Sequence, residues 1–231
     1  MSSIQEFLKH LPLFQGLEPE IIHSFSAKFI QRSYKRNTLL YLNGDPLDRI
    51  FLVFQGRIKI HKTNPDGSKL FARYYYQGDL FPQFGFFRNT AYMAEALVDT
   101  DSTLLVMMRE DFEGLVQMYP ELNVRIIQMM GEHIQLLENQ LGETVIYDST
   151  ERVILLLLRL AESHSLEKED EKVVRLKERF THRELAQMVG TTRETVSRVI
   201  NRLKQEGYVF PVDGHMALRT DQLRKMVCSN Y

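Results

Sequence analysis

The chain has 231 residues, 44% hydrophobic and 26% charged, and its 29 Lys and Arg against 30 Asp and Glu leave a formal net charge of −1. This is the composition of a globular protein of one large or two small domains, able to bury a proper core. No apolar run reaches the roughly 18 residues of a membrane span, and the single cysteine, Cys228, excludes an internal disulfide or a cysteine-ligated cluster.

The N-terminus, MSSIQEFLKHLPLF, has no basic region leading into a long apolar one, so a cytoplasmic protein is expected. Residues 1–118 read as a β-rich domain with short helices at its start. The runs RIFLVFQGRIKIHK, KLFARYYY and STLLVMM alternate or cluster apolar residues, and turn signals stand at Asn43-Gly44, Pro65-Asp66-Gly67 and Gln77-Gly78-Asp79. Strands at that spacing predict a sandwich or roll. Residues 119–148, from Tyr119-Pro120, carry a long helical pattern. Within it Ile127, Met130, Ile134, Leu137 and Leu141 recur at 3-4 spacing, the seam of a coiled coil, and predict a homodimer. Ile126, Met129, His133 and Leu136 form a neighbouring stripe suited to packing on the chain's own β section.

Residues 149–231 make a third section. ERVILLLLRLAESH reads as a buried helix, LEKEDEK as a solvated connection and Val173 to Leu176 as a short strand. In THRELAQMVGTTRETVSRVINRLKQEG, residues 181–207, Thr181 and Glu184 have capping-box spacing and Leu185, Met188 and Val189 give a first helix its apolar face. Gly190 ends that helix, and Thr191 or Thr192 caps the next. Val196, Val199, Ile200 and Leu203 form a stripe that must be buried, so Arg193, Glu194, Ser197 and Arg198 point outward. Glu194 has two open roles, bonding back to the Thr191 amide or reaching outward. In GYVFPVDGHMALRT two apolar segments flank Asp213-Gly214, a hairpin signal. Two helices followed by such a hairpin describe a winged helix-turn-helix.

The outward face suits base edges in a major groove. Arginine bonds bidentately to guanine, glutamate accepts from the cytosine amino group, and serine takes either role. Thr181 and Thr192, at helix N-termini, suit phosphates, and Arg202 and Lys204 extend the positive edge along the DNA backbone. A local basic excess on a near-neutral chain is what a confined DNA-binding surface needs.

Taken in order, Gly44-Asp45-Pro46, IFLVFQGRIKI, Asp66-Gly67, Gln77-Gly78-Asp79, ERVILLLLRLA and VGTTRETVSRVINRLKQEG resemble the catabolite activator protein and FNR (Crp/Fnr) family of bacterial transcription regulators over nearly the whole chain. The resemblance implies an α+β protein: an N-terminal double-stranded β-helix, or cupin-like β-roll, that senses a small molecule, a long dimerisation helix and a C-terminal winged helix-turn-helix. It implies Arg193, Glu194 and Arg198 as base readers, with Ser197 like the serine of the FNR branch. The operator implied is TGTGA-N6-TCACA, with a TTGAT-type half-site as runner-up, and RNA polymerase is a further implied partner. The segment LFPQFGFF also resembles a subgroup controlling arginine catabolism by the deiminase route.

The effector site departs from the family's nucleotide-binding pattern. Pro82-Gln83 stands where such members carry a Gly-Glu pair for the ribose, and Ala91-Tyr92 approximately where they carry an Arg-Ser pair for the cyclic phosphate. A buried phosphate would lack compensation for its desolvation, so the effector is expected to be absent or other than cyclic AMP. A cyclic-nucleotide-responsive regulator with a non-standard pocket is the alternative. Phe81, Gln83, Phe84, Arg88 and Tyr92 are the candidate effector-pocket residues, although aromatics there also suit the core of a roll. No cofactor or metal is expected: the seven histidines are scattered, and the ligand set of a metal-dependent β-helix enzyme is not on a strand. A nucleotide-binding module of a signalling protein would lack the C-terminal winged helix.

Overall fold

The computed structural model describes residues 3–63, 69–82, 91–163 and 173–228. The chain divides into two compact units, residues 1–134 and 135–231.

The first unit opens with helices α1 (Ser3–Lys9) and α2 (Pro19–Lys28). Eight strands follow: β1 (Ile30–Tyr34), β2 (Leu39–Tyr41), β3 (Arg49–Gln55), β4 (Ile58–Thr63), β5 (Lys69–Tyr75), β6 (Leu80–Phe81), β7 (Glu95–Val98) and β8 (Ser102–Met108). They form two antiparallel four-stranded sheets, ordered β1-β8-β3-β6 and β2-β7-β4-β5, the β-roll. Helix α3 (Arg109–Met118) and the start of α4 (Glu121–Ile146) close the unit.

The uninterrupted apolar run of β3 has a simple cause: both of its faces are covered. Ile50 and Leu52 join a core with α1, α2 and α3, whereas Phe51 and Val53 point between the sheets. Strand β8, paired with β3, repeats this with Leu105 and Met107 on the helix side and Leu104 and Val106 inside. A two-residue side-chain period thus feeds two cores at once. Gly56 makes the turn out of β3 at φ +100°, where an added Cβ would lie 2.7 Å from the Ser102 Cα, so only glycine fits.

The second unit contains the end of α4, α5 (Ser149–Ser163), β9 (Val174–Arg175), α6 (His182–Val189), α7 (Arg193–Gln205), β10 (Val209–Val212), β11 (His215–Leu218) and α8 (Thr220–Cys228). The strands form an antiparallel sheet ordered β10-β11-β9. Asp213 and Gly214 take φ +50° and +76° in the two-residue turn of the β10–β11 hairpin. One core gathers Val153, Leu157, Leu185, Ile200, Leu218 and Leu223 from α5, α6, α7, β11 and α8. The LEKEDEK segment and the Pro65-Asp66-Gly67 turn lie outside the described residues.

Candidate nucleic-acid interface

Helices α6 and α7 are fixed at their starts by side chains. The Thr181 hydroxyl accepts from the Glu184 amide at 3.2 Å, and the Glu184 carboxylate accepts from the Thr181 amide at 2.6 Å, a complete capping box. Gly190 ends α6 in the left-handed region at φ +73°. The Thr191 amide then donates to the Ala186 carbonyl at 3.0 Å. That bond occupies the amide to which Glu194 could have returned. Thr192 caps α7 by accepting from the Thr195 amide at 3.2 Å, which puts Glu194 one position too early for a second capping box. Its exposed carboxylate is therefore left to face outward.

Val196, Val199, Ile200 and Leu203 are all buried. At about 100° per residue they occupy one side of α7. Arg193, Glu194, Arg198, Arg202 and Lys204 are exposed on the other, with Ser197 half-buried among them. Arg202 shares its charge with Glu206, Nε to Oε1 at 2.9 Å. His182, the first residue of α6, reports the local field: partial burial, then the charges of Lys204 and Arg193, hold its imidazole below the ordinary value of 6.5. In the β9–β11 sheet Arg175 pairs with Asp213 at 2.7 Å and the His215 Nδ1–H donates to the Leu176 carbonyl at 3.1 Å.

Ser149 and Thr150 were not singled out in the sequence. Asp148 accepts from the amides of Thr150 and Glu151 at 2.7 and 2.8 Å, and its own amide donates to Glu151 at 2.9 Å. This second capping box, readable as Asp-x-x-Glu ahead of the apolar run of α5, presents Ser149 and Thr150. They line a cavity of about 150 Å³ with Thr195, Val199, Arg198 and Arg202.

The seam residues Ile127, Met130, Ile134, Leu137 and Leu141 lie along α4 at 40–68% exposure. Val124 and Val145, also exposed, extend the row at both ends. Of the neighbouring stripe, Ile126 is buried, Met129 packs on the helix-side core of the first unit and His133 is half-buried. Leu136 departs from that expectation: it is exposed, since it belongs to the stretch of α4 beyond the first unit.

Of the candidate effector residues, Phe81 and Tyr92 sit in the aromatic core between the sheets. The Tyr41 and Tyr92 rings stack at 3.7 Å, and Phe81 stacks on Phe51 at 5.2 Å and on Tyr75 at 5.0 Å. The Tyr92 hydroxyl donates to the Arg49 carbonyl at 3.0 Å, and burial above all pushes it up to about 12. Gln83, Phe84 and Arg88 lie outside the described residues. Among the described residues no three His, Cys, Asp or Glu side chains group as metal ligands, and no helix is long and apolar enough to cross a membrane.

Comparison with known proteins gives this geometry its family. Residues 31–119 match the cyclic nucleotide-binding domain and residues 151–226 the Crp-like helix-turn-helix domain. The chain belongs to the Crp/Fnr family of transcription regulators. It is 24% identical over 221 residues to a CRP-like cAMP-activated global transcriptional regulator of Mycobacterium tuberculosis, covering 96% of this chain and 97% of that one. To the cyclic AMP receptor protein of Thermus thermophilus it is 27% identical over 212 residues, 92% of this chain and 94% of the other. In fold it is similar to FixK2 from Bradyrhizobium japonicum, with a TM-score of 0.72 at 20% identity over 85% of this chain and 96% of that one. As a Crp/Fnr-type DNA-binding regulator it is not an enzyme.

Proposed function

We propose that this Crp/Fnr regulator is a cytoplasmic homodimer that binds an inverted-repeat operator through α7 and acts with RNA polymerase. Residues 1–118 serve as sensor, 119–148 as dimerisation helix and 149–231 as DNA-binding domain. The observation that carries the reading is the face of α7, on which Arg193, Glu194, Ser197 and Arg198 stand opposite a wholly buried stripe on a helix capped at its first turn. Arg193 and Arg198 read guanines, Glu194 the cytosine opposite one of them, and Ser197 an adjacent base. Thr181, Thr192, Arg202 and Lys204 hold phosphates, joined by Ser149 and Thr150 at the cavity beside Arg198. The exposed α4 row, Ile127 to Leu141, meets its twin across the dyad.

Two recognition helices related by a dyad enter successive major grooves about 34 Å apart. Selection from random duplexes with the purified chain should return an inverted repeat of TGTGA-like or TTGAT-like half-sites about one helical turn apart. An asymmetric site would overturn the reading.

The effector is other than cyclic AMP, or none. Two features favour this over the cAMP activation in the names of its relatives: Pro82-Gln83 and Ala91-Tyr92 at the nucleotide-binding positions, and stacked aromatic rings filling the described interior of the roll. The LFPQFGFF segment favours placing the protein in the arginine-deiminase subgroup, and arginine-catabolic promoters are the first to test for the selected operator.

A further inference from the structure

We infer that Arg73 and His133 form a proton-sensitive latch between the β-roll and helix α4, so that acidification loosens the helix from the sensor domain. Both residues belong to the first unit. Arg73 Nη1 lies 3.4 Å from His133 Nδ1. A guanidinium has only donors, so Nδ1 must be the acceptor, and the contact exists only while the imidazole is neutral with its proton on Nε2. Protonation removes the acceptor and sets two cations against each other. The contact is therefore self-cancelling as pH falls.

The arginine is held from the roll side. Its guanidinium lies 4.5 Å over the Tyr75 ring, which stacks on Phe81 at 5.0 Å in the aromatic core. Asp79, at the turn between β5 and β6, attracts it. On the helix side, Leu122, Ile126, Met129 and His133 share the face of α4 turned to the first unit, and His133 is its last half-buried position. On α4 itself the carboxylates nearest in sequence, Glu132 and Glu138, are exposed, and Arg73 from β5 is a charged side chain placed against the ring. Arg73 and the titratable acceptor His133 thus link the aromatic core to α4.

Burial first, then Arg73, hold His133 below the ordinary value of 6.5. A histidine depressed in the docked state favours docking fully above 6.5, and that contribution is lost as pH falls below it. The latch is closed at neutral pH and weakened in mild acid. Its consequence for DNA binding rests on α4 being the dimer helix. Its titration does not, so the two ideas fail separately.

The test uses the full chain, with imidazole-labelled histidine followed by NMR and α4 followed by hydrogen exchange from about pH 7.5 to about pH 5.5. His133 should titrate below the free imidazole, and Arg73→Met should move it upward. Protection of the α4 amides around His133, corrected for intrinsic exchange, should fall several-fold with acidification. It should stay flat in His133→Gln, whose amide oxygen still accepts from Arg73 but carries no titrating proton. An unperturbed His133 titration, no change with Arg73→Met, or a His133→Gln profile that follows the wild type would each overturn the latch.

Discussion

At Glu194, two hydrogen bonds leave the carboxylate facing outward. The Thr191 amide donates to the Ala186 carbonyl and the Thr192 hydroxyl caps α7 by accepting from the Thr195 amide, so the Glu194 carboxylate is spent on neither. Sequence alone left both roles open because they differ only in where Gly190 turns the chain. On the proposed function the polar face divides by chemistry into readers and holders, and substitutions should separate them. Arg193→Ala should cost about 1–3 kcal/mol and relax preference at one symmetric base pair. Lys204→Ala should weaken binding to all sequences alike and reduce the salt slope by about one phosphate contact. His182 adds a pH dependence of known sign. Partial burial, then Lys204 and Arg193, depress its pKa in the free protein, whereas a phosphate nearby would raise it, so binding at such a phosphate would take up a proton. Operator affinity measured across pH should strengthen below about 6.5, and His182→Gln should remove that component.

Among elements, a buried stripe alone did not make a helix legible: α3, with Phe112, Leu115 and Val116 buried but no side-chain cap, was not read. α7 and the β10–β11 hairpin could be read because each joins a periodic apolar pattern to strong end signals, a threonine cap and Asp213-Gly214. Strand β1 could not, since four of its five residues are exposed and it is recruited by pairing with β8. Helix α8 was missed because only Leu223 and Val227 mark its inner face. Capping should be measurable on its own: Thr181→Ala removes a complete box and should lower the stability of the second unit by about 0.5–2 kcal/mol in denaturant unfolding. For α4 the expectation concerns association. The wild type should sediment as a dimer, and Ile134→Asp or Leu137→Asp, which puts a charge into an apolar seam, should give monomers that no longer bind DNA. A monomeric wild type with normal DNA binding would contradict that.

For the whole molecule, a sandwich or roll, a long helix and a winged helix could be read from chain order, because each section has its own hydrophobic period, and the family resemblance narrowed the first to a roll. The interior of the β-roll was the least legible part: aromatic residues serve equally as core or as pocket wall, and packing alone separates these. Phe81 and Tyr92 are core. Calorimetry with cyclic AMP at millimolar concentration should accordingly show no saturable binding, and micromolar affinity would contradict the effector reading.

On the proposed function, α7 reads bases with the face opposite its buried stripe. The most direct test of this is to measure the affinity of the wild type and of Arg193→Ala for the selected operator and all its single-base variants. The two matrices should be alike at every position except one symmetric pair, where the mutant loses its guanine preference. An unchanged matrix, or uniform weakening at every position, would contradict it.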